Sequence, residues 1–262
     1  MIVHRNGRAA TADDLAPLAF AGYAHFTAAQ VRDRRIRGLD LHLERLRTAS
    51  LELFGTALPD DVVRTHLRTA LAAGPADVSL MATVYSAAGE FTAADGALDL
   101  LVRTGPPLTG PDSPLALAVV EHERYLPAVK HVGEVAKTHV LRTAAAVGFD
   151  DAAFVDRQGR LSEASIWNLA FWDGSAVVWP VADVLGGITM GILRRQLAAR
   201  GVPQRDAEVR PGDLVGLTGA VVMNSWTPGI AVHRIGEAAL PAAPEFVALL
   251  HEVYGVEPLT AP

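Results

Sequence analysis

A lysine, a carboxylate and a glycine pair ahead of a helix stand out in this chain, because together they could serve a carbonyl cofactor. All but two of the 23 basic residues are arginine. The two lysines, Lys130 and Lys137, lie seven positions apart, the first within Val129-Lys130-His131-Val132-Gly133. Glu163 follows within Leu161-Ser162-Glu163-Ala164-Ser165-Ile166-Trp167-Asn168, and Gly186-Gly187-Ile188-Thr189 precedes a helical pattern farther on. A lysine amine that forms an imine must be deprotonated, which a desolvated site favours by lowering its pKa. A carboxylate buried among small apolar residues needs a partner, and a protonated pyridine nitrogen is one. Glycines before a helix leave free N–H groups and the positive end of the dipole to a phosphate. An amine, a carboxylate and a phosphate-sized turn in that order suggest a pyridoxal 5'-phosphate (PLP) enzyme.

Each of these residues also has a plainer reading. Arginine-rich codon usage alone would make lysine scarce, and Lys130, on an extended segment after Pro127, taken by itself reads first as a surface lysine. Lys137 lies inside a helical pattern three residues after Glu134, a spacing that suits a solvent-exposed ion pair. Glu163 could be an edge-strand glutamate facing water, and Gly-Gly before a helix is common. Ser225 and Thr227, in Asn224-Ser225-Trp226-Thr227-Pro228-Gly229, offer further hydroxyls or form an ordinary polar turn. Arg45, in His42-Leu43-Glu44-Arg45-Leu46, shares its helix with apolar residues and either is partly buried against an anion or is solvated.

Composition narrows the field. The 262 residues suffice for one large domain or two small ones with a buried core. Half are hydrophobic and a fifth charged, which describes a soluble globular protein. A net charge of −6 leaves no electrostatic footprint for nucleic acid, and no basic run suggests a membrane surface. With no cysteine, disulfides, thiolate metal sites and cysteine nucleophiles are excluded. The nine histidines show no metal-ligand spacing, and no Gly-x-Ser-x-Gly element is present, so metal and serine-hydrolase chemistry have little support. No run has the length of a signal peptide core or a membrane span, and a cytoplasmic protein is the default expectation.

The elements that must position these groups read as mixed α/β. Strands are expected over 24–31, 77–86 and 97–104, and helices over 41–54 and 59–73, the second starting on Pro59-Asp60-Asp61. Residues 105–114 form the densest Pro/Gly stretch, either a linker or a long loop within one domain. Beyond it a strand is expected over 115–121, a helix over 133–147, strands over 152–156 and 166–172 flanking the Glu163 string, a strand over 176–179 and a helix over 189–200. Strands over 220–223 and 230–233 complete the pattern.

Taken together, these strings resemble the class IV aminotransferases, the fold-type IV PLP enzymes, which include branched-chain and D-amino acid aminotransferases and aminodeoxychorismate lyases. The resemblance runs from about Phe20 to His233. It rests on His42-x-x-Arg45-Leu46, the Lys130 string, Glu163-x-Ser165-x-x-Asn168 and Gly187-Ile188-Thr189. It implies a small α/β N-terminal domain (1–108) and a larger C-terminal pseudo-barrel domain (115–262), a homodimer, and PLP bound between the domains. By the same resemblance Lys130 is the Schiff-base lysine and proton shuttle, and Glu163 pairs with the pyridine nitrogen. Arg45, Ile188, Thr189 and Ser225 hold the phosphate, the isoleucine through its backbone N–H, and Gly187 is counted with the cofactor-binding residues.

The resemblance further implies an aminotransferase acting on an amino acid or other small amine, with a 2-oxo acid as acceptor. A lyase of the aminodeoxychorismate lyase type and a non-catalytic PLP-binding protein are the alternatives. The chain departs from the family where substrate is met: Met190 stands where an arginine often follows Gly-Ile-Thr. Phe20-Ala21-Gly22-Tyr23-Ala24-His25-Phe26-Thr27 has largely lost the pattern Phe-Gly-Asp-Gly-x-Tyr/Phe-Glu, and 86–90 contains no arginine for a substrate carboxylate. His25, Phe26 and Tyr85 are the expected lining of the substrate pocket.

Overall fold

The computed structural model describes residues 1–20, 22–93 and 96–262; Ala21, within the altered string just quoted, lies outside the described residues. The chain forms two compact units. One comprises Met1–Leu108, Val129–Gly133 and Pro258–Pro262, the other Thr109–Ala128 and Glu134–Glu257. The chain passes from one to the other inside the Pro/Gly-rich stretch. The five residues around Lys130 belong to the first unit.

That unit contains β1 (Ile2–Arg5), β2 (Arg8–Ala9), α1 (Ala12–Phe20), β3 (Ala24–Arg32), β4 (Arg35–Arg37), α2 (Leu39–Phe54), α3 (Asp60–Ala72), β5 (Val78–Ser86) and β6 (Leu98–Gly105). With the C-terminal strand Leu259–Thr260 they build a seven-stranded antiparallel sheet, in which β3 and β5 are central neighbours. Side chains alternate across a strand. Ala29 and Val31 of β3, with Leu80 and Val84 of β5, therefore share one face, which packs on Leu39, Leu43 and Leu46 of α2 and Val63 and Leu67 of α3. Glycine sets both ends of α2: Gly38 and Gly55 have φ of 62° and 68°, and the Gly55 N–H donates to the Leu51 carbonyl at 3.0 Å. After β3 the chain makes a tight hairpin into β4, with Asp33 and Arg34 both at positive φ.

The second unit contains β7 (Leu115–Glu121), α4 (Val135–Ala146), β8 (Asp151–Val155), β9 (Leu161–Ala164), β10 (Asn168–Trp172), β11 (Val177–Pro180), α5 (Ile188–Ala199), β12 (Gln204–Ala207), β13 (Gly219–Asn224), β14 (Thr227–Ile235), β15 (Ala238–Ala239) and α6 (Pro244–Gly255); the C-terminal strand of the first unit is β16. Strands β10, β13, β14, β7, β8 and β9 pair in that order, and β9 pairs back onto β10 through Glu163 and Asn168, closing a barrel. Leu117, Leu161, Leu169, Phe171 and Val222 are among its core residues. Ala144 of α4 packs with Ala152 and Phe154 of β8, while α5 and α6 pack on β13 through Leu193, Leu197, Phe246 and Leu250. The Glu163 string, expected to lie between strands, is itself a strand. Its four residues are all buried, so no alternation marked it. Among the described residues, no helix is long and apolar enough to cross a membrane.

Candidate active site

Glu163 sits where the barrel closes, and the short connection from β9 to β10 is held from below by a buried carboxylate. Asp151 Oδ2 accepts from Ser165 Oγ at 2.8 Å and from Trp167 Nε1 at 2.9 Å, while Oδ1 accepts the Ala152 N–H at 2.6 Å. Ser165 therefore works inside the turn rather than toward a ligand. The Glu163 carboxylate is buried, as the sequence reading required of a functional residue. Its Oε1 lies 3.2 Å from Lys137 Nζ and 3.5 Å from Arg124 Nε, and Oε2 accepts a long bond, 3.4 Å, from the Leu185 N–H. Lys137 is thus not the solvent-exposed partner of Glu134 that its spacing suggested. Its side chain is 12% exposed and pairs with Glu163, whereas Glu134 receives Arg124 at 2.6 Å.

A second group of predicted residues is continuous with the first. Asn168 Nδ2 donates to the Leu185 carbonyl at 2.8 Å, fixing the loop that leads into α5. A Cβ on Gly187 would fall 1.9 Å from Asn168 Oδ1, so only glycine lets the loop run this close. Gly187 is the N-cap of α5 and supplies no side-chain cap, so the first-turn N–H groups, Ile188 and Thr189 among them, have no side-chain acceptor from it. Thr189 Oγ1 donates to the Asn224 carbonyl at 2.7 Å, tying the start of α5 to the turn that holds Ser225. Asn224 Oδ1 in turn accepts the Trp226 N–H at 2.8 Å and shapes that turn. Beside Glu163 opens a polar cavity of about 290 Å³, to which His122, Arg124, Arg160 and Ser162 contribute. His122 Nε2 is buried with no hydrogen-bond partner among the described residues, its ring is edge-on to Phe154 at 4.6 Å, and burial followed by the nearby Lys137 charge lowers its pKa.

In the first unit, the Lys130 segment is stitched to β3. The Phe26 N–H donates to the Lys130 carbonyl at 2.9 Å and the Val132 N–H to the Ala24 carbonyl at 3.0 Å, with His25 opposite His131. That register puts Lys130 across from Phe26, and its Nζ lies 4.9 Å from the Phe26 ring centre. His25, one residue earlier, points the other way. It is fully buried on the helix side, with Nε2 2.8 Å from Ser50 Oγ of α2, and burial brings its pKa down to about 4. The expectation that His25 and Phe26 line one pocket fails on strand alternation: consecutive residues cannot share a face. Tyr85 is on the Phe26 face but is buried beneath the α1 region, with Leu18 and Val3 among its neighbours and its hydroxyl donating to the Asp14 carbonyl at 3.3 Å. Arg45 is half-buried on α2, one turn after His42, whose ring is buried and hydrogen-bonded to Thr27 Oγ1 at 2.6 Å. Arg124 and Asp151, which hold Glu163 and the turn after it, stand in no chemically suggestive local string.

Comparison with known proteins adds the family context. Residues 24–235 match the family model described as amino-transferase class IV. Among solved structures, the branched-chain amino acid aminotransferase of Escherichia coli is similar with a TM-score of 0.84 at 14% identity, over 98% of this chain and 94% of that one. A putative 4-amino-4-deoxychorismate lyase of Legionella pneumophila gives 0.81 at 18% identity, over 94% of each chain. A hypothetical aminotransferase of Mycobacterium tuberculosis in a PLP-bound form gives 0.79 at 20% identity, over 98% of each. Among curated proteins none matches.

Proposed function

The chain belongs to the class IV aminotransferase family, and on that premise we propose that it moves an amino group from an amino acid or another small amine to a 2-oxo acid. The family uses PLP, and the residues present fit that group. A buried carboxylate suits a protonated ring nitrogen, and the uncapped first turn of α5, with the Thr189 hydroxyl tied to the turn that carries Ser225, suits a phosphate dianion. The observation that carries the reading is their continuity: Glu163 accepts from the Leu185 N–H, Asn168 donates to the Leu185 carbonyl, and Gly187, the N-cap of α5, lies hard against Asn168.

Bound PLP supplies an electron sink for the pair released when a substrate C–H bond breaks. In this proposal Lys130 would hold the cofactor's aldehyde through Nζ, and the same Nζ, as a free amine, would take and return the α-proton of the substrate. The Phe26 ring beside Lys130 keeps water from that amine. Glu163 holds the ring proton at its carboxylate. The N–H groups of Ile188 and Thr189 and the Ser225 hydroxyl bind phosphate, with Arg45 as the cation in the same role. Thr189 Oγ1 already donates to Asn224, so it joins them only by turning its hydroxyl. Assembly as a homodimer and a cytoplasmic setting belong to the same proposal, the first checked by light scattering.

Product analysis over a panel of amines, with and without a 2-oxo acid, tests the reaction. The proposal expects a new amino acid and a carbonyl product in equal amounts, and only with the acceptor. Turnover that persists without any acceptor would instead identify a lyase.

A further inference from the structure

We propose that Lys137 is a positioning residue that acts through Glu163, setting how strongly that carboxylate holds the proton of the cofactor's ring nitrogen. The inference rests on the reading of Glu163 given above and extends it to a residue outside the motif strings.

Two cations approach Glu163, but they are not equivalent. Arg124 is already committed. Its Nε and Nη2 reach Glu134 Oε1 at 2.7 and 2.6 Å, its Nη1 donates to the Pro127 carbonyl at 2.6 Å, and its approach to Glu163 is the longer one at 3.5 Å. Lys137 has Glu163 as its carboxylate partner at 3.2 Å, with the Phe154 ring 5.9 Å from its Nζ. The compensating charge on Glu163 therefore comes chiefly from Lys137. Both cations meet Oε1, so Oε2, which among the described residues carries only the 3.4 Å contact from Leu185, is the oxygen with capacity for another donor.

Other charged or titratable groups complete the surroundings. Glu134 precedes α4, His122 and Arg124 follow β7, and Asp156 and Arg160 across the cavity are paired with each other at 2.7 Å. A buried ion pair of this kind contributes little net stability, because desolvation offsets the attraction. Its effect on a third group at the same carboxylate is direct: a cation on Oε1 draws on the negative charge that Oε2 offers to another donor. Removing Lys137 leaves the Glu163 carboxylate without its nearest cation, so it would hold the ring proton more firmly.

The test is a pH titration of the visible absorbance of the PLP-saturated full-length protein. The set comprises wild type, Lys137→Met, Lys137→Arg, Glu163→Gln and the double variant Lys137→Met/Glu163→Gln. The proposal expects Lys137→Met to raise the midpoint by about one pH unit and Lys137→Arg to restore it to near the wild-type value. Glu163→Gln should lower it, and the Lys137→Met shift should shrink to less than half in the Glu163→Gln background. Should Lys137→Met fail to fold or to retain PLP, Lys137→Gln is read in its place. An unmoved midpoint in the lysine variants while Glu163→Gln shifts it overturns the role of Lys137 alone. Equal lysine shifts in both backgrounds also overturn it, since Lys137 would then act without Glu163. No shift in Glu163→Gln overturns the inference together with the reading of Glu163 on which it stands.

Discussion

Mild acid should loosen the first unit through two histidines that are folded as neutral bases. His42 is buried with Nδ1 on Thr27, and burial, reinforced by the Arg45 charge, brings its pKa from 6.5 to about 3. Burial brings His25 from 6.5 to about 4. Both folded values lie below the unfolded one, so between them the unfolded chain binds more protons. The stability these rings confer is complete above about pH 6.5 and falls as the pH drops toward the folded values. Going from pH 7.5 to 5.5, an unfolded histidine of pKa 6.5 is stabilised by about 1.4 kcal/mol while the folded rings stay neutral, which gives about 3 kcal/mol for the pair. Carboxylates with lowered pKa, such as Asp14 and Asp173, act below this range, and His66 and His122 shift in the same direction as the pair. A single-site variant isolates one ring. Urea unfolding at both pH values, at fixed protein and PLP concentrations, should show His42→Gln losing about 1.4 kcal/mol less than wild type across the interval. If the two proteins lose stability equally, the assignment of His42 as a buried neutral base is wrong.

Two further outcomes follow from single contacts. Gly187→Ala drives a Cβ into Asn168 Oδ1, so Asn168 must leave the Leu185 carbonyl, at a cost of about 1–3 kcal/mol in stability. A fluorescence titration should show PLP affinity at least about tenfold weaker, and unchanged affinity would contradict the part given to this loop. Asp151→Ala strands the Ser165 hydroxyl and the Trp167 indole N–H in a buried place, which should cost about 2–4 kcal/mol. A thermal melt that does not move would show that the turn under Glu163 is held by something else.

The sequence was legible where one physical rule acted alone. Strand β3 alternates cleanly, α2 is bracketed by Gly38 and Gly55, and α5 starts on Gly187, so each was expected within a residue or two of where it lies. Elements went unread where signals were mixed or short. Helix α1 carries Pro17 inside it, β1 is the four residues Ile2–Arg5, and β9 is buried on both faces. Helix α6 begins on Pro244 and is rich in apolar residues, yet it was not anticipated. At the candidate site, Lys130, Glu163 and Gly187 are proposed from residue type and order alone. Arg124 and Asp151 gave no such signal, because their contacts are with partners 39 and 16 positions away, joined only when the barrel closes. His25 was misjudged for the opposite reason: its neighbour Phe26 is beside Lys130, and adjacency in sequence means opposition across a strand.

Borohydride reduction of the PLP-saturated protein, followed by mass mapping of the labelled peptide, bears most directly on the assignment of chemistry to Lys130. Reduction should fix a phosphopyridoxyl group on Lys130 and leave Lys137 unmodified, and Lys130→Ala should take no label at all. A label on Lys137, or an unlabelled Lys130 in protein saturated with PLP, would contradict it.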